Sequence, residues 1–417
     1  MVNSSNQPLH QPCSNRSLRA LDALNFALAD VRDGIGPFLA VYLKTQNWSA
    51  ANIGLAVATS ALATVLLQAP AGALVDCARN KRLIVSIASC TVIIACLIFF
   101  FRPCFACVIA AQILAGTANA LFSPAVASIS LGLVGQQYLH RRQARNEAFN
   151  HGGNLGSAAL AALVSKSFGT GAIFLLSCFF GLITMVSALA IKAGDIDYEQ
   201  ARGSEMHDQE GKAQAVPVGQ LLSDWRVLVF ALCVLLFHFG NAAMLTEVGQ
   251  ELADLQTSLS GINPGVCMAA CIIVAQLCMI PTALLSGKYS HELGRKPVFL
   301  VAFLALPLRG LIFASTHDPR LLIATQILDG IGAGIFGVVA VLIIADLTRN
   351  TGRFNFTLGM IATAGGLGAA ASNAITGYVV SMHGYTAGFS MLAAISLFAA
   401  AVFWLFMPET DIAHGKE

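Results

Sequence analysis

The 417-residue sequence predicts an all-α membrane protein with twelve transmembrane helices in two pseudo-symmetric six-helix halves. Three observations carry this expectation. Hydrophobic residues make up 56% of the chain and charged residues 11%, against roughly 25% charged in a soluble domain. Several apolar runs reach the ~18 to 20 residues that cross ~30 Å of hydrocarbon as helix. Lys and Arg fall on alternate loops with a one-sided bias.

Taken in order, the tail 1–18 is polar and lacks an apolar h-region, so it is not expected to be a cleaved signal. Spans are expected near 19–43, 51–75, 81–101, 105–134, 144–166, 170–192, 226–249, 263–288, 297–316, 321–346, 354–381 and 386–407. Barrel strands would be ~10 residues with alternating polarity, unlike these runs. With both termini inside, the inner segments hold 18 of the 24 Lys and Arg, and the outer loops hold Lys44, Arg102, Lys166 and Arg320. The expected units are a cytoplasmic tail 1–18, a six-helix bundle 19–192, a cytoplasmic linker 193–225, a second bundle 226–407 and a cytoplasmic tail 408–417. The linker mixes charges with Gly and Pro, as a partly disordered connection does.

The halves repeat. Gln112-Ile-Leu-Ala-Gly116 returns as Gln326-Ile-Leu-Asp-Gly330, an offset of 214. Gly169 with Phe174 returns as Gly384 with Phe389, and Gly72 as Gly287, at an offset of 215. Transporters are often built from such repeats, with the substrate between them.

Between spans two and three stands Gly72-Ala-Leu-Val-Asp76-Cys-Ala-Arg79-Asn-Lys81-Arg82. Between spans eight and nine stands Gly287-Lys-Tyr-Ser-His-Glu-Leu-Gly294-Arg295-Lys296. Both resemble the signature loop of the major facilitator superfamily, Gly-x-Leu-Ala-Asp-Arg-x-Gly-Arg-Lys. The first copy departs at Arg79 and Asn80, and the second has His291 in place of the acid. The resemblance covers essentially the whole chain. It implies a transporter fold whose loops act as a conformational latch, with Asp76 meeting the N-terminus of span eleven, a site favourable to a carboxylate. Gly72, Arg79, Lys81, Arg82, Gly287, Gly294, Arg295 and Lys296 complete the latch set; Lys81 and Arg82 equally satisfy the positive-inside rule alone.

Ionisable groups inside a span mark pathways or partners. Asp30 lies ~16 Å into span one. Asp22, Phe26, Asp30, Asp33 and Pro37 follow a helical stripe, with Arg32 turned away. A buried carboxylate pair can take up and release a proton near neutral pH, so Asp30 and Asp33 are proton-coupling candidates; the alternative is a structural pair with Arg32. His151 in span five joins them, since His titrates most easily near pH 7. Arg32, Asn154, His238 and Asn241 are cavity candidates. The resemblance adds Gln112 and Asn119 of span four. Arg309 and Asp329 match in depth and are expected to form a structural ion pair. Glu247, Glu251 and Asp254 fall at the outer end of span seven, where solvation is expected.

A net charge of +2 gives no reason to expect nucleic-acid binding. Cys104 and Cys107 form a Cys-x-x-Cys, here read as soft buried thiols with no metal. No phosphate loop, Gly-x-Ser-x-Gly or His-Glu-x-x-His occurs, so no enzyme and no cofactor are expected. Gly152-x-x-x-Gly156 is half of a span-five motif of antiporters of the superfamily, with Ser157 in place of Pro. The expectation is a monomeric, proton-coupled carrier of a small organic solute in a bacterial inner membrane, exporting by antiport; the alternatives are a symporter and a non-transporting sensor.

Overall fold

The computed structural model describes residues 14–198, 201, 219, 223–258, 263–348 and 354–411. Among the described residues, twelve helical rods run back and forth. α1 comprises Asn15–Ala29, a π-turn Asp30–Gly34, and Ile35–Thr45. α2 is Ala50–Cys77 and α3 is Lys81–Phe101. Phe105–Phe168 is one helical run broken at Gly135, where φ is 71°, giving α4 (105–134) and α5 (136–168). α6 is Ile173–Ala190, α7 Trp225–Ser258, α8 Pro264–Glu292 and α9 Arg295–Ser315. α10 is Pro319–Leu347, α11 Phe354–His383 and α12 Tyr385–Phe406.

Local chemistry sets many of the starts. Ser14, Ser49, Asn80 and Asn263 accept from backbone N–H groups of the turns they open, as N-caps do. Asp318 does the same ahead of Pro319. Gly169 and Gly384, the repeated glycines, have φ of 85° and 83°, a region that L side chains avoid. Phe174 and Phe389 five residues on are both fully buried.

Ten of the rods are long and apolar enough to cross a membrane by composition alone. α1 and α5 fall outside that set; they carry Asp22, Asp30, Arg32 and Asp33, and Arg142, Arg145 and Glu147. The segment between the expected spans four and five is not a loop beyond Gly135: α5 starts directly after that kink and takes in 136–143.

Each half has its own apolar core, around Phe99, Phe122 and Phe174 in the first and Phe299, Phe303 and Phe403 in the second. Gly116 lets α4 approach α2, where a Cβ would stand 2.4 Å from the Ser60 oxygen. Gly330 does the same for α10 on α8, 2.4 Å from the Ala275 oxygen. The duplicated Gln-Ile-Leu-x-Gly is thus one helix crossing built twice.

The halves meet where α2 crosses α11, α5 crosses α8 and the end of α1 crosses α7. Contacts joining them include His151–Gln276 (3.0 Å), Ser165–Asn263 (2.9 Å) and Lys44–Asp254 (3.0 Å). These run from mid-depth to the face opposite the described chain ends, Ser14 and Asp411; that face is called the far face below. An apolar seal of Phe38, Val41, Ala158, Met268 and Ala269 lies among them.

Candidate functional site

A cavity of about 420 Å³ opens between α1, α2, α4 and α11. Its polar lining is Arg32, Ser60, Thr64, Gln68, Gln112 and Asn119. Gln112 is nearly buried and donates to the Ala56 carbonyl at 2.9 Å, tying α4 to α2. Thr64 donates to the Ser60 and Gly116 carbonyls. The Asn119 carbonyl oxygen is buried without a hydrogen-bond partner, so this amide keeps an idle acceptor at the cavity.

Arg32 also lines a second, 120 Å³ pocket with Asn25, Gln143, Asn146, Glu147 and Asn150 of α1 and α5. Arg32 and Asp30 both fall in the π-turn of α1. The π-turn inserts a residue, which rotates the remainder of the helix by ~100°. Arg32 lines the cavity, while Asp30, 2% exposed, packs among the helices of its own half. The side chain of Asp33 lies outside the described residues, as does that of Asp76.

His151 Nδ1 meets Gln276 Oε1 across the halves. Asn154 lines a 170 Å³ pocket with Pro37, Ser157 and Gln276 at the same junction. His238 is bonded to the Val234 carbonyl at 3.0 Å and lies edge-on to Phe336, with Gly365 of α11 against its ring. Asn241 accepts from Arg309 at 2.7 Å.

The loop residues are held within their own halves. Lys81 donates to the Val75 carbonyl at 2.7 Å and Arg82 to the Ile191 carbonyl at 2.5 Å, and Arg79 is exposed. Arg295 donates to the Ser290 carbonyl and pairs with Asp346 and Asp411. The backbone N–H groups of Arg295 and Lys296 both donate to Glu409, at 2.9 Å. A Cβ on Gly72 would meet open space and one on Gly287 only Val338, while Gly294 holds a φ of 92°.

Two polar clusters were not foreseen. Asp22 accepts from both Arg142 and Arg145 of α5; the arginines stand one turn apart, so the signal was present in their spacing. Glu247 and Glu251, expected in solvent, are 0% and 2% exposed. The far end of α7 is enclosed by its neighbours, and the spacing 247, 251, 254 puts all three acids on one face.

Cys104 is exposed at the start of α4, not buried as expected. The Cys107 thiol beside it holds its thiol below the usual value.

Two six-helix halves with a polar-lined cavity between α1, α2, α4 and α11, closed against each other at one face, are the architecture of a solute transporter. The chain belongs to the Major Facilitator Superfamily, whose profile matches residues 21–278 and 272–417. It is 39% identical over 403 residues to uncharacterised MFS-type transporters of two Mycobacterium tuberculosis strains, covering 95% of this chain and 94% of each relative. A gallate transporter of Pseudomonas putida is 23% identical over 186 residues, 45% of this chain and 40% of that one. In fold, the chain is similar to the nucleoside transporter NupG (TM-score 0.76, 15% identity, 93% of this chain and 97% of that one). It is also similar to a D-xylose–proton symporter (TM-score 0.68, 14% identity, 94% and 97%).

Proposed function

We propose that this transporter moves a small, polar organic solute by alternating access, and that it exports the solute in exchange for protons. The observation that carries the solute class is the 420 Å³ cavity, where amides and hydroxyls surround one arginine. A polyanion would call for several buried cations, whereas this lining suits a neutral or singly charged molecule with several hydrogen-bonding groups. The partial match to a gallate transporter makes hydroxylated aromatic acids a class to include in a screen.

The positive bias of the loops favours cytoplasmic termini, and on this reading the membrane is a bacterial inner membrane. Closure at the far face then corresponds to a carrier that faces inward, ready to load from the cell. Asp30, Asp33 and His151 are candidates for coupling protons, and the two signature loops for latching the inner face. Gly152 and Gly156 of the half motif border the Phe26 ring of α1, consistent with a close α1–α5 crossing on which export would depend.

The test is comparative mass spectrometry of cells and medium, with and without the protein, alongside Asp30→Asn and Asp33→Asn at equal expression. Loss of a metabolite from cells only with the intact protein supports export. Drawdown from the medium reverses the direction in favour of symport. An unchanged pair of pools with abundant folded protein removes the transport reading.

A further inference from the structure

At the far end of α7, Glu247, Gln250 and Glu251 share one face and are 0%, 0% and 2% exposed. Glu247 accepts one hydrogen bond, from the Gln250 amide at 3.0 Å. Glu251 meets His317 Nδ1 at 2.5 Å. The remaining oxygens, Glu247 Oε1, Gln250 Oε1 and Glu251 Oε2, are buried without a hydrogen-bond partner.

The neighbours that carry charge or titrate are few. Lys44 of α1 bridges to Asp254, one turn beyond, at 3.0 Å. Tyr385 of α12 donates to the same Asp254 at 2.8 Å. His317, ahead of α10, is 63% exposed and turns to Glu251. α8 and α9 bring Met268, Cys271 and Phe313 to this end of α7. Among the described residues, the one lysine here pairs with Asp254, and the Gln250 amide is the one hydrogen-bond donor to Glu247.

The stretch is short of hydrogens: three idle acceptors fall within five residues of α7, and buried acceptors normally have donors. A hydrogen on Glu247 turns one acceptor into a donor, and the Gln250 amide can present either its oxygen or its nitrogen to it. No three carboxylate, thiol or imidazole groups among the described residues converge as a metal ion would need.

We propose that Glu247 is a proton-binding site, filled and emptied from the far face through Glu251 and the exposed His317. A proton arriving on His317 passes to the Glu251 carboxylate, and from Glu251 to Glu247, one turn or ~6 Å deeper along α7. Glu247 goes from carboxylate to acid, and Glu251 and His317 return to their starting states. The site lies in the second half, apart from Asp30. That its proton drives a solute rests on the transport reading above; that it binds a proton does not.

The test uses the full-length protein in lipid nanodiscs and needs no solute. Infrared difference spectra are recorded across a step from about pH 9 to about pH 5. The expected result is a buried carboxylic-acid carbonyl band that is lost in Glu247→Gln and kept in Asp30→Asn. Glu251→Gln and His317→Ala keep the step but slow its appearance. A band unchanged in Glu247→Gln overturns the proposal, as does one abolished by sodium at fixed pH, which would mark an alkali-cation site. Should Glu247→Gln not fold, proton uptake as fast in Glu251→Gln and His317→Ala as in the unmodified protein overturns the route. If mass spectrometry finds no solute while the band behaves as expected, the transport reading falls and the proton site stands.

Discussion

Arg309 of α9 donates to Asp329 of α10 at 2.7 Å, with the guanidinium wholly removed from the surface. The same arginine donates to Asn241 and Gln326 and stacks on Phe313. At the repeat offset of 214, the first half has Ala95 and Ala115 in their places, both buried. The charges are present together in one half and absent together from the other, as a mutually dependent pair requires. Asp329→Ala leaves a buried cation uncompensated and is expected to destabilise by ~3–5 kcal/mol. Arg309→Leu combined with Asp329→Leu is expected to recover most of that. Thermal unfolding of the purified variants measures both.

Gly54 of α2 sits against α11, where a Cβ would stand 2.2 Å from the Asn373 oxygen. Gly54→Val therefore prevents the far face from closing as it does here. Spin labels on the far ends of α5 and α8 should report a longer distance in the variant. An unchanged distance would show that the crossing can relax.

Glu409 caps the start of α9 through two backbone N–H groups at 2.9 Å. Its loss in Glu409→Ala should cost ~0.5–2 kcal/mol, the range for a lost N-cap. Gly294→Ala should cost ~1–3 kcal/mol from backbone strain alone, and its Cβ would also meet the Glu409 carboxylate at 2.5 Å. Melting curves of the two variants, side by side, check the order.

Cys104 is exposed at the far face, and its thiol is shifted toward the reactive thiolate by Cys107. Cys77 is exposed at the other face, at the end of α2. A membrane-impermeant maleimide applied to intact cells should label Cys104 and spare Cys77. Inverted vesicles should give the reverse. The reverse pattern in whole cells would invert the orientation proposed above.

Asp195 follows α6 and accepts from Ser14 and, at 2.6 Å, from Ser17. The hydrogen bonds from Ser14 and then Ser17 hold its carboxyl below the usual value. A depressed carboxyl contributes stability above its unfolded value of about 3.9 and loses it as pH falls through the folded one. Proteolysis near Arg16 and Arg19 should therefore accelerate on acidification below about pH 4, and in Asp195→Asn it should already be fast at neutral pH.

Much of the fold could be read from the sequence because membrane insertion leaves a plain record. Apolar run length, loop charge and duplicated Gln-Ile-Leu-x-Gly do not depend on tertiary detail. Gly169 and Gly384 were visible as a repeat, and both hold a positive φ. The site was less visible, for two physical reasons. A π-turn changes the phase of a helix without changing its composition, so a stripe drawn at regular α-helical spacing through 30–34 cannot be carried across it. Burial at a helix end depends on what folds over it: Glu247 and Glu251 look like solvated flanking acids until Lys44, His317 and Tyr385 arrive from three other elements. Arg309 and Asp329 were legible as a depth-matched pair because both cost too much to bury alone.

The Lys44–Asp254 bridge joins the halves at the outermost turn, with Asp254 about half exposed. A pair in that position is open to the ions of the surrounding medium, whose atmosphere at physiological ionic strength damps charge interactions over ~8 Å. The closed far face therefore carries a term set by the bath rather than by the solute. Concentrated electrolyte is expected to weaken this one link between the halves and dilute medium to strengthen it, a small bias on closure that no change of solute would alter.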